Sequence, residues 1–253
     1  MKITIYGFGR FGQILAQILK TQFKVEVFDS KKNLSKIAKK LKVDFVSKKQ
    51  ACQNEVIFIC VPINQFSRTI SSIMKIAQDG ATIVETCSVN LHPAQEMKKY
   101  DSSKYTFISS HPLFGPDSFN PLTKKHLKPN WIIYPVGKKS KDYHLWKRNL
   151  KQIGFNVVEM SPDEHDRIAA NSQALTHYIG RILKELNIQD SHLSTLGFNR
   201  LMQLMQQTCN DSKQLFSDMM NYNPYAISMK NKFLTSITKV NKSLIDDYLK
   251  KYN

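Results

Sequence analysis

The chain has 253 residues, of which 42% are hydrophobic and 23% are charged, and this balance excludes a wholly disordered protein. No apolar run approaches the roughly 20 residues of a membrane-spanning helix, and the chain starts directly on a predicted strand, so we expect a cytoplasmic protein with no membrane partner. Its net charge of +17 would suit a nucleic-acid partner, but the basic residues are mostly lysines spread along the chain, which favours a solvated surface and no nucleic acid.

Strand and helix patterns alternate through the first part of the chain. Strands are predicted over residues 2–6, 24–28, 56–61, 82–86, 105–109, 131–136 and 156–160. Apolar residues at helical spacing follow the first strand, over 10–21, and recur between most of the others. This alternation is typical of an α/β Rossmann-type fold, which has a doubly wound and mostly parallel sheet.

A glycine motif, GFGRFG, joins the first strand to the first helix. Gly7 would make the tight turn, Gly9 would admit a pyrophosphate, and Gly12 would let the helix pack closely on the strand. Asp29 ends the second strand, where a carboxylate binds the adenosine ribose and repels a 2′-phosphate. NAD is the predicted cofactor; NADP stays possible because two lysines follow, and Asp29 as a simple turn residue is the alternative interpretation. The predicted cofactor contacts are Gly7, Phe8, Gly9, Arg10, Phe11, Gly12, Asp29, Ser30, Val61 and Pro62.

Two polar residues, Ser88 and His111, follow predicted parallel strands at their carboxyl ends, the edge where open α/β sheets bind ligands. A histidine can accept a hydroxyl proton near neutral pH, and a serine within reach can hydrogen-bond that hydroxyl and hold the imidazole in the useful tautomer. We therefore predict this pair to be catalytic, although a lone histidine before proline is more often structural. The other histidines outside residues 175–183 are interpreted as surface residues: His92, His126, His144, His165 and His192.

From Ser161 onward the pattern is helical. The sequence SPDE is typical of a helix start, and helices are predicted over 162–186, 192–208, 212–220 and 224–250. We expect a dinucleotide-binding domain at 1–160 and an all-α C-terminal dimerisation domain at 161–253. The last helix has an apolar stripe, which predicts a homodimer through the C-terminal helices: Ile227, Leu234, Ile237, Leu244 and Tyr248.

Several segments together resemble the prephenate/arogenate dehydrogenase family. They are GFGRFG, ETCSV (85–89) and SHPLFGPDS (110–118), and in the helical part LTHYIGRIL (175–183) and DSKQLFSDMMNYNPYA (211–226), which are closest to the plant-type arogenate dehydrogenases. The resemblance spans nearly the whole chain. It implies NAD(P)-dependent oxidative decarboxylation of prephenate or arogenate in tyrosine biosynthesis, with His111 as the base on the ring hydroxyl and Ser88 as its partner.

The resemblance also implies a substrate site with one departure. His177 matches a histidine that lines the site, but the arginine that holds a substrate carboxylate in the bacterial branch aligns with Gln203 here. Arg181 is our first candidate for the cation that binds the substrate carboxylate, ahead of Arg200 and Lys124. The alternative interpretation of Arg181 is a salt bridge. Asp117 and Ser118 would face the substrate side chain, where an acid suits the ammonium of arogenate; helix capping is the alternative.

Two other functions remain open from the sequence. One is a different two-domain dehydrogenase, of the 3-hydroxyacid or imine reductase type, which would share the glycine loop and the helical domain. The other is a basic nucleotide-sensing or nucleic-acid-binding protein, which rests on the net charge alone. No metal site is predicted, because the four cysteines are widely spaced and the histidines are not clustered.

Overall fold

The computed structural model describes residues 1–118, 128–189 and 192–252, so the predicted Lys124 and His126 lie outside the described residues. The chain divides into two compact units, with the division between residues 165 and 166. Within the described ranges, no helix is both long and apolar enough to span a bilayer.

The described residues of the first unit form one eight-stranded sheet. Its strands are β1 (Lys2–Tyr6), β2 (Lys24–Phe28), β3 (Asp44–Phe45), β4 (Val56–Ile59), β5 (Thr82–Glu85), β6 (Thr106–Pro112), β7 (Asn130–Val136) and β8 (Asn156–Glu159). Their spatial order is β3-β2-β1-β4-β5-β6-β7-β8. Neighbouring strands are parallel except β6 and β7, which are antiparallel. The predicted Rossmann-type, mostly parallel sheet is confirmed; the two-residue β3 is too short to have been predicted from its pattern.

The helices of this unit are α1 (Arg10–Leu19), α2 (Ser35–Lys40), α3 (Lys48–Ala51), α4 (Phe66–Met74), α5 (Leu91–Met97) and α6 (Lys141–Ile153). Trp131 and Trp146 are almost fully buried in the core that the helices and the sheet share. The chain builds outward from β1 to β2 and β3, then returns to place β4 on the other side of β1. Open α/β sheets bind ligands beyond the carboxyl ends of the strands at such a reversal.

The second unit is helical, as predicted. Helix α7 (Pro162–Ala169) contains the division between the units and continues through a π-helical turn at Ala170–Ala174 into α8 (Leu175–Glu185). The others are α9 (Leu196–Asn210), α10 (Lys213–Tyr222) and α11 (Ala226–Tyr252). Helices α8 and α9 approach closely at Gly180, where an added Cβ would lie 1.9 Å from Oγ1 of Thr208.

Candidate active site

The three motif glycines have different surroundings. Gly7 has φ +102°, and an added Cβ would lie 2.4 Å from the carbonyl oxygen of Cys60 at the end of β4. Gly12 in α1 has equally little room for a side chain, since an added Cβ would lie 2.1 Å from the carbonyl oxygen of Gly7. Gly9, which precedes α1, is exposed and has no atom within 4 Å of an added Cβ. The loop is therefore packed at Gly7 and Gly12 and open at Gly9, beside a helix N-terminus that attracts phosphate. These residues fit a dinucleotide.

Asp29 connects this loop to the end of β2. Its Oδ2 accepts a hydrogen bond from the backbone N of Phe8 at 2.8 Å, and its Oδ1 accepts one from the backbone N of Lys31 at 2.8 Å. The carboxylate thus orders both the glycine loop and the turn that follows β2, and it retains lone pairs for a ribose hydroxyl. The side chain of Phe8 is fully buried in the core, so only its backbone can serve as the predicted cofactor contact.

We expect Asp29→Ser to shift the cofactor preference toward NADP, because the substitution removes the carboxylate that would repel a 2′-phosphate. The ratio of kcat/KM for NADP to kcat/KM for NAD should rise by about tenfold, which corresponds to roughly 1.4 kcal/mol. Steady-state rates with each cofactor measure the ratio. Asp246→Ser on α11 removes the same charge at an exposed position and is the control; an unchanged ratio in Asp29→Ser would show that Asp29 does not select the cofactor.

The structure brings a predicted cofactor residue and a predicted substrate residue together. Nη2 of Arg10 lies 2.7 Å from Oδ1 of Asp117, and both side chains remain partly exposed. The hydroxyl of Ser118 accepts a hydrogen bond from the backbone N of Gly115 at 2.9 Å, which closes a local turn. Asp117 therefore links the segment after β6 to the glycine loop. Ser118 stabilises its own turn.

The other predicted residues follow the carboxyl ends of their strands. Val61 and Pro62 follow β4, and a side-chain carbon of Val61 would lie 3.0 Å from a Cβ added at Gly7, so this turn adjoins the glycine loop. Ser30 is exposed after β2. Ser88 is half-buried in the turn after β5. All these residues therefore lie at the edge of the sheet that binds ligands in this class of fold.

His111 is buried near the end of β6, and its ring partner is another histidine. Its Nδ1 lies 2.8 Å from Nε2 of His165, and the two rings are 5.0 Å apart at 79°. Among the described residues, Nε2 of His111 has no hydrogen-bond partner, and no hydrogen bond joins Ser88 to His111. The interpretation of His165 as a surface residue was wrong, because this side chain is 3% exposed. Burial, and next the nearby His165, hold the pKa of His111 well below its usual value, so the ring is uncharged at neutral pH.

A buried carboxyl group, Glu85 at the end of β5, connects the Ser88 turn to the His111 strand. Its oxygens accept hydrogen bonds from the backbone N of Cys87 and the side chain of Asn90 on one side, at 2.7 and 2.8 Å. On the β6 side they accept from the hydroxyl of Ser109 at 2.7 Å and the backbone N of Ser110 at 2.9 Å. Sequence reasoning missed this residue, although an acid that ends the apolar run TIVE was a signal, since unpaired acids are seldom fully buried.

We expect the stability that Glu85 contributes to fall as pH rises. Burial raises the pKa of this carboxyl to about 8 despite its hydrogen-bond donors, whereas in the unfolded chain it ionises near its ordinary value of about 4.3. The folded state therefore holds one more proton between those values, and the free energy of unfolding decreases as pH rises through this window.

Denaturant unfolding of the wild type and Glu85→Gln at pH 5, 6.5 and 8 checks this expectation. The advantage of the wild type over the variant should shrink steadily with pH, because glutamine does not titrate. Glu185→Gln makes the same chemical change at the exposed end of α8 and is the control. A difference for Glu85→Gln that grows with pH would contradict the expectation.

The second unit contains its own polar cluster, built on α8. Nη2 of Arg181 donates a hydrogen bond to the backbone oxygen of Asp211 at 2.8 Å, and its guanidinium lies 5.4 Å above the ring of Phe216. His177, one turn earlier, has Nε2 3.7 Å from a carboxylate oxygen of Asp211. Burial, and next the charge of Arg181, lower the pKa of His177 to about 4. Nδ1 of His177 and Nε of Arg181 are buried without a hydrogen-bond partner. The weaker candidate Arg200 and the aligned Gln203 are exposed on α9.

Two family models match this chain, one in each of its two parts. Residues 15–159 match the family described as prephenate dehydrogenase, nucleotide-binding domain. Residues 182–252 match the family described as TYRAAT1-like, C-terminal domain. A curated relative, arogenate dehydrogenase 2 (chloroplastic) of Arabidopsis thaliana, is 27% identical over 96% of this chain and 70% of its own length.

Solved structures share the fold. Prephenate dehydrogenase from A. aeolicus, in complex with hydroxyphenyl propionate and NAD+, has a TM-score of 0.78 and 18% identity, covering 98% of this chain and 91% of that one. Synechocystis arogenate dehydrogenase has a TM-score of 0.72 and 16% identity, covering 98% of this chain and 93% of that one. At these identities the likeness shows a shared fold.

Proposed function

The chain belongs to the prephenate dehydrogenase family, and we propose that it oxidatively decarboxylates a cyclohexadienol with NAD as the hydride acceptor. The reaction converts prephenate to 4-hydroxyphenylpyruvate or arogenate to tyrosine. We favour arogenate, because the Arabidopsis relative that covers nearly the whole chain is an arogenate dehydrogenase. NAD is favoured over NADP because Asp29 places a carboxylate at the end of β2.

The observation that carries this proposal is the environment of His111. The ring is buried and uncharged, one nitrogen is held by His165, and the other has no partner among the described residues. An uncharged imidazole with an available Nε2 can accept the proton of the ring hydroxyl, which is what loss of hydride from the same carbon requires. Ser88, in the turn that Glu85 anchors, would hydrogen-bond the same hydroxyl and orient it.

The residues of the first unit that would hold the dinucleotide are the open Gly9, the helix start at Arg10, and Asp29. Bound NAD supplies the carbon that takes up the hydride. The protein itself contributes positioning, a base and a surface that excludes water, because aromatisation of the ring supplies the driving force.

We also propose that His177 and Arg181 bind a carboxylate of the substrate. Each has a buried nitrogen without a partner, and such groups in folded proteins usually have a partner to bind. The hydrogen bond to Asp211 and the ring of Phe216 fix the guanidinium in place, so little side-chain entropy would be lost when an anion binds.

The proposed function is tested by assaying each of two substrates with each of two cofactors. Purified protein is mixed with prephenate or arogenate and with NAD or NADP, and the absorbance of the reduced nicotinamide is followed. We expect the fastest rate with arogenate and NAD. A 3-hydroxyacid and a cyclic amine in parallel wells test the alternative dehydrogenase classes. If neither cyclohexadienol reduces either cofactor, the proposed function is wrong.

Two further proposals concern assembly and location. The predicted apolar stripe on α11 is exposed, with its five residues between 43% and 63% accessible, and a stripe of this size favours a second copy of the helix as its partner. Sedimentation analysis should therefore give a homodimer.

A cytoplasmic location stays a prediction, supported by four cysteines that are all free thiols, as in a reducing compartment.

A further inference from the structure

We infer that His165 is a positioning residue for the base: its Nε2 accepts a hydrogen bond from Nδ1–H of His111 and thereby fixes the tautomer in which Nε2 of His111 carries a free lone pair. This inference rests on the proposed function, because it concerns the same proton acceptor. The inference states which ring donates the hydrogen bond between Nδ1 of His111 and Nε2 of His165, which are 2.8 Å apart.

The geometry leaves two possible directions for that hydrogen bond. If His165 were the donor, Nδ1 of His111 would be the acceptor and its proton would sit on Nε2. That nitrogen has no protein partner among the described residues, so its N–H would depend on water for a hydrogen bond in a residue that is 5% exposed. If His111 is the donor, its N–H is satisfied by His165 and only a lone pair of Nε2 lacks a protein partner. An acceptor without a protein partner costs less than a donor without one, so the second direction is favoured.

The same direction suits proton transfer. The hydroxyl proton of the substrate moves to Nε2 of His111, the O–H bond breaks, and its electron pair stays on the substrate oxygen. The Nδ1–H bond of His111 remains intact and becomes a charge-assisted donor to His165, which stabilises the cationic ring without a second proton transfer. Orientation of a base by a third group is a common arrangement in enzyme sites. Once hydride and carbon dioxide have left the ring, that oxygen takes the proton back from Nε2 and becomes the hydroxyl of the aromatic product, so His111 ends uncharged.

The position of His165 is itself fixed by its helix. The hydroxyl of Ser161 accepts a hydrogen bond from the backbone N of Glu164 at 3.3 Å, and its carbonyl oxygen accepts one from the backbone N of His165 at 2.9 Å. The first turn of α7 is therefore well ordered, and the imidazole, 3% exposed, has little freedom to rotate away from His111. A rigid partner of this kind can select one tautomer of the base.

Two substitutions separate positioning from packing. His165→Phe keeps a planar ring but removes the acceptor, whereas His165→Gln keeps an acceptor oxygen close to the position of Nε2. We expect kcat to fall by about tenfold or more in His165→Phe and to stay within about threefold of the wild type in His165→Gln. KM for the substrate and Kd for NAD should change by less than about twofold in both. His192→Phe, at an exposed position in the described part of the chain, is the control.

A second readout does not depend on activity. In protein with ¹⁵N-labelled histidine, the ring nitrogen shifts of His111, assigned with His111→Asn, report its tautomer directly. We expect the Nδ1–H form in the wild type and in His165→Gln, and a shift toward the Nε2–H form in His165→Phe.

An Nε2–H form in the wild type would overturn the inference even if His165→Phe failed to fold. A kcat of His165→Phe equal to that of the wild type would also overturn the inference. Inactivity of the wild type with every substrate would instead contradict the proposed function, and the tautomer measurement distinguishes the two failures.

Discussion

His111→Asn should lower kcat by about 10²- to 10⁴-fold, the contribution typical of a general base. Asparagine can still hydrogen-bond His165 from the position of Nδ1, so the buried partner keeps a contact and the fold is retained, but the variant has no group at the position of Nε2 to accept the hydroxyl proton. Binding of the dinucleotide should be unchanged, because the glycine loop and Asp29 are not touched. Steady-state rates with the active substrate pair, together with NAD titration by calorimetry, measure both quantities.

His144→Asn is the matched control for this substitution, since His144 is exposed on α6 and the change in chemistry is the same. Its kcat should equal that of the wild type. Thermal unfolding of both variants shows whether a lower kcat results from loss of folded protein. A kcat for His111→Asn within about threefold of the wild type would remove His111 from the mechanism.

The parts of the site that sequence could predict are those fixed by local chemistry and by topology. The glycine loop needs a positive φ at Gly7 and a close approach at Gly12, and both requirements leave glycines at a set spacing. His111 was predictable because alternation of strands and helices gives a parallel sheet, and a parallel sheet aligns the carboxyl ends of its strands. Chain order therefore predicts which edge of the sheet these residues occupy, and their role in the site stays a prediction.

The residues that sequence missed act across the fold. His165 lies in the first turn of a helix that begins with an ordinary capping pattern, and nothing in that pattern shows that the ring meets His111, which is distant in the chain. The sequence predicts Ser88 as the partner of the imidazole, because both residues follow neighbouring predicted strands. Glu85 was missed because its hydrogen-bond donors come from two separate segments. Such contacts depend on how β5, β6 and α7 pack, which periodicity does not encode.

Under the proposed function, the net charge of +17 has a different meaning. Both proposed substrates carry carboxylates and the dinucleotide carries a pyrophosphate, so a positive surface raises the rate at which each meets the protein. This account needs no contiguous basic stripe and no nucleic acid. It also agrees with the dispersal of lysines along the chain, because long-range attraction depends on summed charge more than on any single position.

Gly9→Ala should weaken NAD binding by at least about tenfold, or roughly 1.4 kcal/mol, without destabilising the protein. An added Cβ at this position meets no atom within 4 Å, and φ of −68° suits any residue, so the folded state has room for it. The same open space is where the proposed pyrophosphate approaches the backbone, and a methyl group there would hold it away. Calorimetric titration with NAD gives Kd, and denaturant unfolding gives the stability.

Gly12→Ala makes the same chemical change three residues later and should have the opposite result. Its Cβ would lie 2.1 Å from the carbonyl oxygen of Gly7, so the backbone must move and the free energy of unfolding should fall by about 1–3 kcal/mol. Gly197→Ala, where the nearest atom is 3.9 Å away on Thr195, controls for the methyl group itself. If Gly9→Ala bound NAD as the wild type does, the open side of the loop would not be the pyrophosphate site, and the dinucleotide would have to bind elsewhere on the sheet edge. A loss of binding confined to Gly9→Ala, with stability lost only in Gly12→Ala, would separate the residue that faces the ligand from the one that packs the fold.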